Sequence, residues 1–351
     1  MQGTGPADTT FAPQSAAPAM PALKPFLLER KILGKVWGGR ALEQALGLTL
    51  PAGEQVGETW ELYDRPEGSS VLRGSATTLA ELMATQREEL LGRGVKPGHG
   101  GKFPLLIKYI DAREALSVQV HPDEEQARAR GDGGKNEAWI VLQKGPNARI
   151  IRGTKPGVTE EQFRAVAATA AVEELLWKFT PEVGDCIHVP AGTVHAIGPD
   201  VVVFEVQQNS DITYRLYDWG RPREVHVQDA LAVTRLGAEG SSHAGRPVVP
   251  PRALPDGSTL VIDAPQFRVR RFTVEPSANG NGRVVLPTEG TFQVVNVTAG
   301  RGVLGWHSAG TDQPLFLQTG DCAVIPACIE QVFFSPIGRM ELLVSGPGRQ
   351  R

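Results

Sequence analysis

Gly184-Asp185-Cys186-Ile187-His188-Val189-Pro190-Ala191 returns further along the chain as Gly320-Asp321-Cys322-Ala323-Val324-Ile325-Pro326-Ala327. Each copy reads as a Gly-Asp turn, a short apolar strand and a Pro-Ala exit. Two copies of one supersecondary unit point to a repeated β-barrel. The copies diverge where chemistry would begin. The first runs through Gly192, which permits a tight bend, to His195; the matching position of the second is Gln331. On this reading the first barrel is equipped for a metal and the second is not.

Outward from that repeat, short β-branched runs alternate with turns, and the 351 residues include 40 Gly and 27 Pro, the punctuation of a mainly β protein. Strands are predicted at 105–110, 117–120, 138–142, 148–152, Cys186–Val189 and 201–206. A second set is predicted at 260–262, Phe267–Val274, 292–297, 302–305, 323–325, 331–334 and 340–344. Helical spacing is confined to 78–91 and to 159–177, where Thr159 can cap a first turn holding Glu160, Glu161 and Gln162. The Gly-, Ser- and Pro-rich stretch 237–257 reads as a connection. It separates an N-terminal metal-binding domain, 23–236, from a C-terminal β domain, 258–351, with a disordered Ala/Pro/Thr-rich tail at 1–22.

Bulk properties narrow the function class. A net charge of -3 with dispersed basic residues gives no sign of a phosphate-backbone partner, so no nucleic acid is expected. No apolar run reaches the roughly 18 residues of a membrane span, so no membrane is expected either. The first residues lack the basic start and apolar core of a secretory signal. Three isolated cysteines, Cys186, Cys322 and Cys328, form no disulfide framework and fit a cytoplasmic location. No oligomeric state is assigned.

Gln119-Val120-His121 lies within a predicted strand, where residues two apart share a face, so Gln119 and His121 point together into a barrel. Glu137 opens the next strong strand, and His195 follows the Pro-Ala-Gly turn. Two imidazoles, one carboxylate and one amide oxygen form a borderline-hard donor set that suits zinc, manganese, iron or cobalt. His188 alternates with the core face of its strand and reads as structural; His99, His226, His243 and His307 carry no pattern.

These segments resemble known ones. The Gly184–His195 run, Gly-x5-Pro-x-Gly-x-x-His, resembles the second signature of the cupin superfamily. Ala115-Leu116-Ser117-Val118-Gln119-Val120-His121-Pro122-Asp123 and Gly134-Lys135-Asn136-Glu137-Ala138-Trp139 resemble the type I phosphomannose isomerases, short bacterial form. So does the block from Phe204 through Gln207-Gln208-Asn209-Ser210-Asp211 and Tyr214-Arg215-Leu216-Tyr217-Asp218-Trp219 to Arg221, together with Lys35-Val36-Trp37-Gly38-Gly39 and Gly57-Glu58-Thr59-Trp60-Glu61. The resemblance covers about 24–236; beyond that the chain matches only as a degenerate second cupin. It implies two jelly-roll barrels and one zinc ion per chain, held by Gln119, His121, Glu137 and His195. It also implies a catalytic arginine at Arg215 and interconversion of mannose 6-phosphate and fructose 6-phosphate.

That reaction moves a proton between carbon 2 and carbon 1 through an enediol(ate), whose charge a metal and Arg215 stabilise. Lys135 and Asp218 are the candidate proton carriers; Lys135 equally suits a plain cation for substrate oxygens. Ser117, on the face of Gln119, and Lys108 are candidates for the phosphate, with Arg113 nearby and Glu58 a further substrate contact. Trp37, Trp60 and Trp139 either wall the pocket or fill the core. Two rival readings remain: an iron(II) cupin oxygenase, which Gln119 as a fourth ligand disfavours, and a non-catalytic sugar-phosphate-binding cupin, which Arg215 and Lys135 disfavour.

Overall fold

A computed structural model describes residues 22–236, 249–276, 283–307 and 314–349. Nearly all of the expected tail (1–21) and most of the expected connection (237–248) lie outside the described residues. The chain is mainly β and forms two cupin-type barrels. The first pairs a six-stranded sheet, in the spatial order Cys186–Val189, Glu137–Lys144, Val201–Gln208, Leu105–Ala112, Val56–Leu62, Lys31–Gly39, with a five-stranded sheet. The latter runs Leu176–Phe179, Ile150–Thr154, His195–Ile197, Val118–Val120, Tyr214–Tyr217. The second barrel repeats this plan with Cys322–Ile325, Gln293–Ala299, Met340–Pro347, Phe267–Val274 and Thr259–Asp263 in one sheet, facing a four-stranded sheet.

The repeat is visible in backbone geometry. Gly184 and Gly320 have φ of 90° and 89°. The Gly184 N–H donates to Val141 O and that of Gly320 to Val297 O, both at 2.8 Å; the Val141 and Val297 N–H groups return to Asp185 O and Asp321 O, both at 3.0 Å. A carboxylate oxygen of each aspartate then accepts from the backbone three residues back, Glu182 and Gln318. In one respect the two exits differ from expectation. Gln331 is exposed, and the inward residues of its strand are Val332 and Phe334, because the strand enters its sheet one residue out of step with the first copy.

Leu105–Ala112 is buried along its whole length. Leu105, Ile107 and Tyr109 face outward into a core shared with Phe267, Val269, Val294 and Leu343 of the second barrel. Their alternates Leu106, Lys108 and Ile110 face the interior of the first barrel. The six-stranded sheet is therefore covered on both faces, which ties the barrels together and explains its long apolar runs. Phe26–Leu27 adds a short edge strand to the second barrel by pairing with Cys322–Ile325.

The helical expectations were too long. Thr78 and Glu81 form a capping box for Leu79–Thr85, but the backbone breaks at Gln86 before Arg87–Leu91. Thr159 caps as expected, with Gln162 closing the box, yet that helix ends at Val166. A 3-10 segment, Ala170–Leu175, follows, and Leu176–Phe179 extends to pair with Ile150–Thr154. Pairing to a sheet edge outweighs the apolar spacing that suggested a continuous helix. No helix among the described residues is long and apolar enough to cross a membrane.

Candidate functional site

One cross-strand row on the five-stranded sheet carries Arg152, His195, Gln119 and Arg215: His195 is opposite Arg152 and Gln119, and Arg215 is opposite Gln119. A facing row on the six-stranded sheet carries Trp60, Lys108, Glu205 and Trp139. Between these rows lies a cavity of about 310 Å³.

His121 meets Glu137 and His195 behind the cavity wall that the latter two help form, their candidate ligand atoms all within 4.8 Å of one another and all three side chains buried. Glu137 Oε1 is 3.3 Å from His121 Nε2, and Glu137 Oε2 is 3.4 Å from His195 Nε2. The backbone dictates the tautomers. Each Nδ1–H donates to a carbonyl, His121 to Ile212 O at 2.7 Å and His195 to Thr193 O at 2.8 Å, leaving both Nε2 lone pairs aimed at the common centre. The turn before His195 is held from the other side, since Gly192, at φ 84°, donates its N–H to His121 O at 2.8 Å. Only glycine adopts that φ without strain.

The electrostatics suit a cation. Burial pulls His195 down to about 3, more than Glu137 restores, and burial aided by Lys135 lowers His121, so both rings are neutral. Burial pushes Glu137 upward, but the nearby positive charge, Lys135 first, more than reverses this and keeps it ionised. His121 Nε2 and Glu137 Oε2 are buried without a hydrogen-bond partner among the described residues. Neutral imidazoles and a carboxylate with orphaned, convergent lone pairs are the donor set of a divalent metal. The Gln119 amide borders the group, its nitrogen 3.3 Å from His195 Nε2 and its oxygen accepting from Ser117 Oγ at 3.2 Å. Turning the amide over presents oxygen as a fourth donor.

Lys135 Nζ is 2.9 Å from Glu137 Oε1. Lys108 stands between two carboxylates, Glu205 at 3.5 Å and Glu58 at 3.8 Å. Glu58 also accepts from Trp60 Nε1 at 2.8 Å and pairs with Lys35 at 3.3 Å. Trp37, Trp60 and Trp139 all line the cavity. Arg113 is exposed beside Glu114, away from it. Asp218 does not reach the cavity: its buried carboxylate accepts from Arg223 Nε at 2.6 Å and Nη2 at 2.7 Å and pairs with Arg221 at 3.0 Å. What Asp218 delivers to the cavity wall is Arg223, next to Arg215. Burial, then Arg223, lowers the Arg215 pKa, and its buried Nε has no hydrogen-bond partner among the described residues.

Glu205 was not expected at the site. Its carboxylate accepts from Trp139 Nε1 at 2.9 Å, while Oε1 has no hydrogen-bond partner among the described residues. Burial and the nearby Glu137 push it up to about 7 against the pull of Lys108. Its sequence signal was a lone acid inside the apolar strand Val201–Gln208.

Residues 26–140 match the family described as phosphomannose isomerase type I, catalytic domain. The chain is 32% identical over 334 residues to the mannose-6-phosphate isomerase of Streptococcus mutans, covering 92% of this chain and 98% of that protein. The crystal structure of the mannose 6-phosphate isomerase from Bacillus subtilis superposes with a TM-score of 0.78 at 30% identity, covering 92% and 99% of the two chains. A mannose 6-phosphate isomerase solved with zinc and yttrium shares the fold at a TM-score of 0.75 and 18% identity, over 93% of this chain and all of that one.

Proposed function

The chain belongs to the type I phosphomannose isomerase family, and we propose from that premise that it interconverts mannose 6-phosphate and fructose 6-phosphate on one zinc ion held by His121, Glu137, His195 and Gln119. The observation that carries the reading is the convergence of His121, Glu137 and His195 at the edge of a cavity that Glu137 and His195 line with Arg215, Lys135 and Glu205. The donor set suits zinc, which in a site with room for substrate supplies a Lewis acid for sugar oxygens.

The remaining steps belong to the protein's side chains. Arg215 faces the cavity with unspent donors and stabilises the enediolate, its guanidinium charged throughout. Lys135, the second cation beside the ligands, shares that charge. Glu205, near neutrality in proton affinity, carries the proton between carbon 2 and carbon 1. Ser117 holds the Gln119 amide, and Glu58 accepts from sugar hydroxyls.

The phosphate belongs at the arginine end. Each lysine of the cavity already faces a carboxylate, and a phosphate beside Lys108 would meet both Glu58 and Glu205. At that end Arg215, Arg221 and Arg223 stand against Asp218 and Asp211, and a guanidinium fork matches a phosphate. The substrate is thus a small sugar phosphate, and we place the enzyme in the cytoplasm, where Cys186, Cys322 and Cys328 stay reduced.

Metal analysis of the purified protein, with fructose 6-phosphate formation assayed with and without a chelator, tests the proposal. Zinc with chelator-sensitive turnover is the expected result. Iron with oxygen consumption, or sugar-phosphate affinity without turnover, would replace it with one of the two rival cupin functions.

A further inference from the structure

The second barrel has a cavity of its own at the place equivalent to the metal site. Strand register establishes the equivalence. Glu205 pairs with Lys108 and Trp139 in the first barrel as Val344 pairs with Arg270 and Val295 in the second. Gln207 pairs with Leu106 as Gly346 pairs with Arg268. Glu137 faces Val189 as Gln293 faces Ile325. At this mouth Gln293 thus takes the place of the ligand Glu137, Arg270 that of Lys108, and Val344 that of Glu205. Phe272, Val295, Val332 and Phe334 fill the barrel below it.

The mouth encloses about 410 Å³ and is lined by Arg93, Arg268, Arg270 and Arg349 against one acid, Glu289. With Val344 where the first barrel has a carboxylate, acceptors inside the cavity are few: Gln293 for Arg270 and, more distantly, Glu289 for Arg268. Arg270 is 8% exposed and turns to Asp256, outside the lining, at 3.1 Å and to Gln293 at 3.1 Å. Burial lowers its pKa more than Asp256 restores. Arg268 has a side chain 16% exposed, with Nε 3.5 Å from Asp263 and Nη1 3.9 Å from Glu289 as its ion pairs among the described residues. Its buried Nε has no hydrogen-bond partner among the described residues. A buried guanidinium N–H without an acceptor is costly, and a bound anion removes that cost.

We infer that the mouth of the second barrel, having lost its metal donors and gained arginines, is a binding site for a small phosphate ester, its phosphate on Arg268 and Arg270 and its body against Val95, Val344 and Pro347. The volume lies within the range of small-molecule pockets. The wall formed by Arg93–Val95 belongs to the N-terminal half of the chain. That loop follows Arg87–Leu91, whose Leu91 O accepts from Phe292 N at 3.1 Å, so an occupant spans the joint between the two halves. The inference stands apart from the isomerase reading, which a different measurement tests.

Inorganic phosphate is the first probe, adenosine 5′-monophosphate the second and adenosine the phosphate-free control, titrated calorimetrically into the full-length zinc-loaded protein without mannose 6-phosphate, with isomerase turnover assayed separately. Wild-type protein should bind both phosphates and ignore adenosine. The Arg268→Ser/Arg349→Ser variant should bind them about tenfold more weakly or worse, at unchanged isomerase turnover. Should that variant not fold, Arg93→Ser/Arg349→Ser changes two exposed rim side chains and should weaken the ester in the same direction. Equal binding by wild type and a folded variant, or no phosphate binding by wild type, overturns the inference. A loss of turnover in step with the loss of phosphate binding would assign the binding to the first barrel and overturn it too.

Discussion

Replacing Asp218 by asparagine tests how the arginine end of the catalytic cavity is built. The carboxylate is 3% exposed and holds Arg223 through two bonds, at 2.6 and 2.7 Å, with Arg221 at 3.0 Å. Asparagine keeps the shape but turns one acceptor into an NH2 group facing a guanidinium N–H. One bond to Arg223 is lost and the other becomes a bond to a neutral oxygen. Hydrogen bonds to charged groups contribute roughly 1.5–3 kcal/mol each. Breaking a fully buried ion pair costs about 3–5 kcal/mol. The Arg223 side chain is 30% exposed and that of Arg221 17%, so solvent softens the loss, and about 2–3 kcal/mol is expected. For a chain of this size that lowers the thermal midpoint by roughly 3–4 °C. Kinetically, an Arg223 no longer aimed at the phosphate should raise KM for mannose 6-phosphate about tenfold while kcat falls less, because the phosphate is remote from the proton transfer. Calorimetric unfolding and steady-state assays read both effects. A lowered midpoint with unchanged KM would refute the phosphate assignment, and an unchanged midpoint would refute the energetics given for the ion pair.

His121→Ala should lose bound zinc and activity together, whereas Arg215→Ala should retain zinc by elemental analysis and lose turnover by two orders of magnitude or more, roughly the effect of removing one transition-state donor. Glu205→Gln should abolish the limb of the pH–rate profile near neutrality. In the metal-free protein the native Glu205 pKa, about 7, lies above its ordinary 4.5, so its stabilising contribution is complete below 4.5 and lost as pH rises through 7. The Gln variant should therefore gain stability relative to wild type across that window in urea titrations at stepped pH. Gly92→Ala should destabilise by about 2 kcal/mol or more in urea, since Gly92 has φ 100° and a Cβ there would strike the Gly290 carbonyl.

Those effects divide by how far each site was legible in the chain. Gln119 and His121 share a face through strand alternation, and His195 follows a turn that needs Gly192, so local rules sufficed to gather them. Glu205 sits in a run that reads as core, and its character comes from Lys108, Trp139 and Glu137, which only sheet register brings alongside. Asp218 looked like an acid available for chemistry because its neighbours Arg221 and Arg223 could not be seen to fold back on it. The strands Lys31–Gly39 and Val56–Leu62 were missed for a related reason: Lys35, Glu58 and Trp60 face the cavity, so the alternation lacks the apolar inner face by which a strand is recognised. The second barrel shows the same limit. The repeated Gly-Asp turn revealed that barrel, but matching the chain residue by residue assigned the place of His195 to Gln331, whereas the inward residue is Val332. A slip of one residue reverses the face of every side chain that follows. The paired rows of Lys108 with Glu205 and Arg270 with Val344 escape that ambiguity, because register across three strands fixes their facing. Once those rows are aligned, the second mouth differs from the first by the loss of carboxylates and the gain of guanidinium groups, a change of charge that favours an anion over a metal.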